Sequence, residues 1–129
     1  MPSLWMTFAW WFGLVLVLIQ AFFGWKEAFE PEWVFKRIFR EFYCKNKDSP
    51  VWEKTAQLTC NMGLYNWFLA AGMLLSLFEY LGREQGSEFF ALCVAIAGIV
   101  GLRTVGYSIA FVAQLGIGAL TLGLFLLKF

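Results

Sequence analysis

Apolar and polar positions alternate along this chain in long blocks rather than short ones. Residues 5–24 carry no charge, and about 20 apolar residues suffice to cross roughly 30 Å of hydrocarbon as a helix. Trp5, Trp10 and Trp11 crowd the start of that run and Trp25 closes it, as suits indoles at two membrane interfaces. Ala9, Gly13, Gln20 and Gly24 fall near one helical face, which predicts close contact with a neighbouring helix. Residues 25–57 form the long polar block. Within it, 31–43 is amphipathic: Val34, Phe35, Ile38, Phe39 and Phe42 follow helical spacing, with Lys36, Arg37, Arg40 and Glu41 opposite. Pro31 suits a first helical turn. Such a helix is expected either to lie in the membrane interface or to dock on a partner protein. The K-N-K-D-S-P stretch at 45–50 reads as a turn.

A second apolar run covers 58–81, with Glu79 near its end, and a short polar connection follows at 82–88. From 89 to 129 the only charges are Arg103 and Lys128, a stretch about twice as long as one crossing needs. A break at 103–108 (R-T-V-G-Y-S) divides it into spans at 89–103 and 109–127. The pattern therefore predicts an all-α membrane protein: one domain over 1–129, an antiparallel bundle of four transmembrane helices, and one amphipathic interfacial helix in the connection 25–57.

Composition supports lipid as the solvent. The chain is 60% hydrophobic and 20% aromatic, with 15% charged residues against about a quarter in ordinary soluble domains. A net charge of +1 argues against nucleic acid as a partner. There is no His, which removes the commonest metal ligand and the usual general base near neutral pH. Cys44, Cys60 and Cys93 have no C-x-x-C spacing. No phosphate loop, nucleophile elbow or metal motif is present, so no metal and no cofactor are expected. The first run lacks a basic n-region and an A-x-A-like cleavage site, and is expected to be retained.

Four spans put both termini on one side. Seven of the ten basic residues (Lys26, Lys36, Arg37, Arg40, Lys45, Lys47 and Lys54) lie in the first connection, and Arg103 falls at the other turn on that side. Arg83 and Lys128 face the opposite side. The bias places the 25–57 loop in the cytoplasm and the termini outside, across a prokaryotic inner membrane.

In that topology the polar groups within apolar runs collect at one depth. Gln20 lies near the cytoplasmic end of span one, and Asn61, Tyr65 and Asn66 near the start of span two. Thr104 ends span three and Gln114 lies early in span four. Such side chains are costly in hydrocarbon and need partners. They form either a set of interhelical hydrogen bonds or a pocket for a small molecule or lipid headgroup. The small-residue rows Ala97-x-x-x-Gly101 and Ala119-x-x-x-Gly123 are expected to let helices approach closely.

The stretch N-M-G-L-Y-N-W-F-L-A-A-G at 61–72, with Gly98-Ile99-x-Gly101, Thr104 and Gln114, resembles the small bacterial membrane proteins of the domain of unknown function 1304 family. The resemblance implies an architecture and no activity. Relatives usually carry a Glu-His pair late in the first span and a further Glu seven residues after the His. Here Ile19 and Gln20 replace the pair, while Glu27 is kept. Proton chemistry through that pair is not available to this chain, because Gln does not titrate. Arg103 stands where a small residue is usual; it is expected either to reach lipid headgroups or to pair with Glu27.

The functional expectation is a membrane protein without catalytic machinery, acting as an accessory or structural subunit of a larger membrane complex or as a homo-oligomer. The alternative is a transporter or binding protein for a lipid-like or amphipathic small molecule. A lipid-modifying enzyme using Glu27 alone comes third.

Overall fold

The computed structural model describes residues 4–78, 83–104 and 106–127, which form six helices and no strand. These are α1 (Leu4–Phe29), α2 (Pro31–Ile38), α3 (Arg40–Asn46), α4 (Pro50–Leu77), α5 (Arg83–Thr104) and α6 (Ile109–Leu126). The end of the expected second span, 79–81, and Lys128 lie outside the described residues. Three helical stretches are long and apolar enough to cross a membrane: Leu4–Phe29, Gln85–Thr104 and Ile109–Leu126. The helix holding the expected second span, α4, is not among them, although its 28 residues give ample length. Asn61 and Asn66 sit inside its apolar run and lower its mean hydropathy.

The chain forms two compact units: Met1–Ile19 with Leu69–Phe129, and Gln20–Phe68. The first has an apolar core of Ala9, Leu16, Met73, Leu77, Ala91, Val94, Leu124 and Phe125. Within it Trp10 Nε1 donates to the Leu77 carbonyl at 3.2 Å, and Gly13 admits the Leu77 and Met73 side chains. Helices α5 and α6 form an antiparallel hairpin. Gly98 lies against the Leu115 backbone and Gly118 against the Ala95 backbone, so close that a Cβ would fall 2.5 and 2.9 Å from the facing amide nitrogens. The connection turns through Gly106 at φ 108, a conformation that favours glycine. Ser108 then caps α6, its side chain accepting from the Ala110 amide.

Of the expected small-residue rows, Gly101 lies on a contact, where an added Cβ would meet the Phe111 ring, but its row partner and the second row do not. Ala97 and Ala119 are exposed and Gly123 has nothing within 4 Å of an added Cβ. The buried stripe of α5 runs through Ser87, Ala91, Val94, Ala95, Gly98 and Gly101, which turns Ala97 outward.

In the second unit, the end of α1 packs against the first two-thirds of α4, with α2 and α3 between them in sequence. The expected helix over 31–43 is two helices. Phe39, at φ −120 and ψ 44, leaves the helical region and breaks the run. Val34 and Phe35 are buried, and Phe35 packs on Phe39, Phe42 and Trp52 with ring centroids 4.8, 5.7 and 5.1 Å away. Two anchors of the amphipathic face are thus covered within the chain, because Trp52 at the start of α4 supplies an aromatic surface.

Candidate functional site

The α1–α4 contact within Gln20–Phe68 is built on two glycines. A Cβ on Gly63 would lie 2.6 Å from both the Ala28 amide nitrogen and the Gly24 carbonyl oxygen. One on Gly24 would meet the Trp67 ring at 2.4 Å. Backbones this close bring side chains from the two helices into hydrogen-bond range. Trp67 Nε1 donates to the Ala21 carbonyl at 3.1 Å, and Trp25, Phe29 and Trp67 form a ring cluster with centroids 4.6–6.2 Å apart.

Beside this contact runs a chain of polar side chains. Gln20, only 1% exposed, donates from Nε2 to Asn66 Oδ1 at 3.2 Å. Asn66 in turn donates from Nδ2 to Glu27 Oε2 at 2.9 Å. Gln20 and Glu27 are seven residues apart on α1, two turns on one face, so a single amide from α4 bridges them. Asn is suited to that place because its side chain accepts at one end and donates at the other. Within this unit the neighbouring cation is committed elsewhere: Lys26 pairs with Glu30 at 2.7 Å. The arrangement orients a carboxylate and locks two helices in register. With Gln at position 20, it has no imidazole with which to relay a proton.

Of the residues expected to form one cluster, Gln20 and Asn66 are brought together, and Glu27 joins them. Asn61 and Tyr65 point elsewhere: both are exposed, Tyr65 at 63%. The inward stripe of α4 runs through Thr59, Gly63, Asn66, Ala70, Met73 and Leu77, and at 100° per residue Asn61 and Tyr65 fall on the far side. Thr104, Arg103 and Gln114 belong to the other unit. There Thr104 is exposed and donates back to the Val100 carbonyl at 2.7 Å, Arg103 is exposed, and Gln114 is buried in the α6 stripe.

A cleft in the second unit was not evident from sequence. It is an open depression of about 520 Å³ between the end of α1, α2 and the start of α4, with Phe29, Trp33 and Trp52 as aromatic walls and Glu30, Glu32 and Lys36 as charged lining. Lys36 and Glu32 pair at 2.8 Å, and the Tyr43 hydroxyl also donates to Glu32. The Lys36 ammonium and then the Tyr43 hydroxyl hold the Glu32 carboxyl below its usual range. The signal available in the sequence was E-P-E-W at 30–33, two carboxylates flanking a helix-starting proline and followed by an indole.

No curated protein and no solved structure matches the chain. The family model described as "Protein of unknown function (DUF1304)" matches residues 14–126. That span takes in the Gly24–Gly63 contact, the Gln20–Asn66–Glu27 chain and the whole cleft, and the chain belongs to this DUF1304 family.

Proposed function

We propose that this chain is a non-catalytic accessory subunit of a larger complex in a prokaryotic inner membrane. In this reading α4 is a further crossing, making a four-helix bundle with both termini outside. The connection through α2 and α3 is cytoplasmic and rests at the interface. Its exposed Lys36, Arg37, Arg40 and Lys45 then face the headgroup side, as the basic-residue bias requires.

The observation that supports a subunit role is the outward face of α4. Asn61 and Tyr65 are exposed among Leu58, Met62, Leu64 and Phe68, which are 45–64% exposed. Lipid tails offer an amide no hydrogen-bond partner, whereas a polar side chain on another helix does. The occupant of this face is a transmembrane helix of a different protein. A photo-crosslinking residue at Tyr65, activated in native membranes, is expected to yield an adduct with another polypeptide. An adduct with a second copy would replace this reading by a homo-oligomer, and adducts with lipid alone would refute it.

A second reading, binding of an amphipathic small molecule, is favoured by the aromatic and charged cleft.

A further inference from the structure

The first unit buries two hydroxyls that its own helices leave unused. Ser87 on α5 and Thr121 on α6 are both 0% exposed, and among the described residues neither oxygen has a hydrogen-bond partner. Other hydroxyls of this chain turn back to the carbonyl four residues before them. Thr55, Thr59, Ser76 and Thr104 all do so, at 2.7–2.8 Å. Ser87 and Thr121 also lie inside α-helix, yet neither makes that bond. A buried hydroxyl without a partner is costly, and in folded proteins such groups meet protein or ordered water.

Helix register brings the two oxygens to one place. Gly98 sits between Phe111 and Leu115, and Gly118 between Ala91 and Ala95. Continued along the antiparallel hairpin, this register sets Thr121 opposite position 90 and Ser87 opposite position 124. The two side chains thus differ by three residues in level, about 4.5 Å along the axes. Both stand on the stripes by which α5 and α6 meet. Ser87 precedes Ala91 by about one turn, and Thr121 follows Gly118 by about one turn. Ala91, the residue of the α5 stripe nearest Thr121 in level, ends in a methyl, so no bulky side chain of that stripe separates the hydroxyls. At O–H···O distances of about 2.8 Å, one water reaches two oxygens up to about 5.5 Å apart.

We propose that Ser87 and Thr121 hold a single internal water that ties α5 to α6 at the end of the hairpin away from its turn. Each hydroxyl both donates and accepts, and buried waters make two to four such bonds. Complete burial of both residues suits a ligand of water's size rather than a headgroup. Ser87 also lies in the polar connection 82–88, so the path from an aqueous interface is short. This site is independent of both the subunit reading and the small-molecule reading.

Thermal melting of the full chain in detergent tests the site through Ser87→Ala, Thr121→Val and the double variant. Thr121→Val nearly keeps the side chain's shape while removing its hydroxyl. Each single variant is expected to lower Tm by about 4 °C, the scale of one hydrogen bond in a chain of this size. The double variant should fall little further, because either substitution alone already breaks the bridge. Thr121→Ser keeps the oxygen and should keep the coupling to Ser87→Ala. A rise in Tm for Thr121→Val would overturn the site, since removing an unsatisfied hydroxyl from a dry contact stabilises. Additive losses would overturn it too. A crystal structure grown from a lipid mesophase gives an independent readout, with water density expected within about 3.2 Å of both oxygens. A direct Ser87–Thr121 hydrogen bond, or two hydroxyls turned back on their own helices, overturns the water even where melting is coupled.

Discussion

The two units solve the same packing problem with different chemistry. The α5–α6 hairpin brings backbones together at Gly98 and Gly118, and the second unit does so at Gly24 and Gly63. Around the first pair the facing groups are backbone, with Gln114 buried on the same stripe of α6, and among the described residues the buried hydroxyls of Ser87 and Thr121 have no hydrogen-bond partner. Around the second pair lie a buried glutamine, an asparagine and a glutamate in one hydrogen-bonded chain. The polar chain of the second unit is an addition to a contact that glycine already permits.

The sharpest way to break the comparison is to remove what the two regions share. Gly63→Leu should cost at least about 3 kcal/mol, because its side chain would be driven into the Ala28 and Gly24 backbone rather than a movable group. Gly98→Leu, facing the Leu115 backbone, should behave alike. Gly116 has nothing within 4 Å, so Gly116→Ala should be neutral or slightly stabilising. Thermal melting in detergent measures all three. Equal tolerance at positions 63 and 116 would show that the close contact does not exist.

Removing what differs comes next. Asn66→Leu removes both the hydrogen bond from Gln20 and the one to Glu27, and should cost about 2 kcal/mol, on the order of 1 kcal/mol for each bond. Glu27→Gln alone should cost less, because a neutral acceptor remains for Asn66. The double variant should fall short of the sum by about 1 kcal/mol, as for residues in one network. Strict additivity would mean that the 2.9 Å contact carries no energy.

A third pair isolates one hydrogen bond in each region. Trp67→Phe removes the indole donor to Ala21 and Trp10→Phe the donor to Leu77. Each is expected to lower stability by about 1 kcal/mol. A markedly larger loss at Trp67 would show that its ring cluster with Trp25 and Phe29 is coupled to the polar chain.

Much of this was legible in the sequence, in proportion to how strongly periodicity constrained it. The helical face Ala9, Gly13, Gln20 and Gly24 is buried, because small residues and one amide recur there at helical spacing. The break at 103–108 could be read from R-T-V-G-Y-S, since Gly106 supplies a positive φ and Ser108 a cap. Asn66 was legible as an inward polar group, but Asn61 and Tyr65 were not separable from it. In a helix with apolar residues all round, a six-residue window does not say which of its sides faces inward and which outward. Phe39 was read as one more position of a single amphipathic helix. Its backbone at φ −120 and ψ 44 splits the run, and the nearby packing of Phe35 on Trp52 joins residues 17 positions apart, which no local pattern encodes. The cleft escaped for the same reason, since its walls come from three helices.

The smallest expected effect concerns pH, and it sets α2–α3 apart from the polar chain of α1 and α4. The Glu32 carboxyl is held below its usual range by Lys36 and Tyr43. Its contribution is therefore present above the ordinary carboxylate range and is lost as pH falls through the lowered folded value. All three side chains are exposed or half-exposed, so the effect is local and screened by solvent. Amide hydrogen exchange across α2 and α3 should rise modestly on acidification, while the buried Gln20 end of the Gln20–Asn66 contact stays protected. Glu32→Gln should remove that acid step, because an amide keeps an acceptor for Tyr43 but does not titrate. An acid-induced rise that persists in Glu32→Gln would assign the step to another carboxylate, and Glu41, held low by Lys45 on α3, is the one Glu41→Gln would then examine.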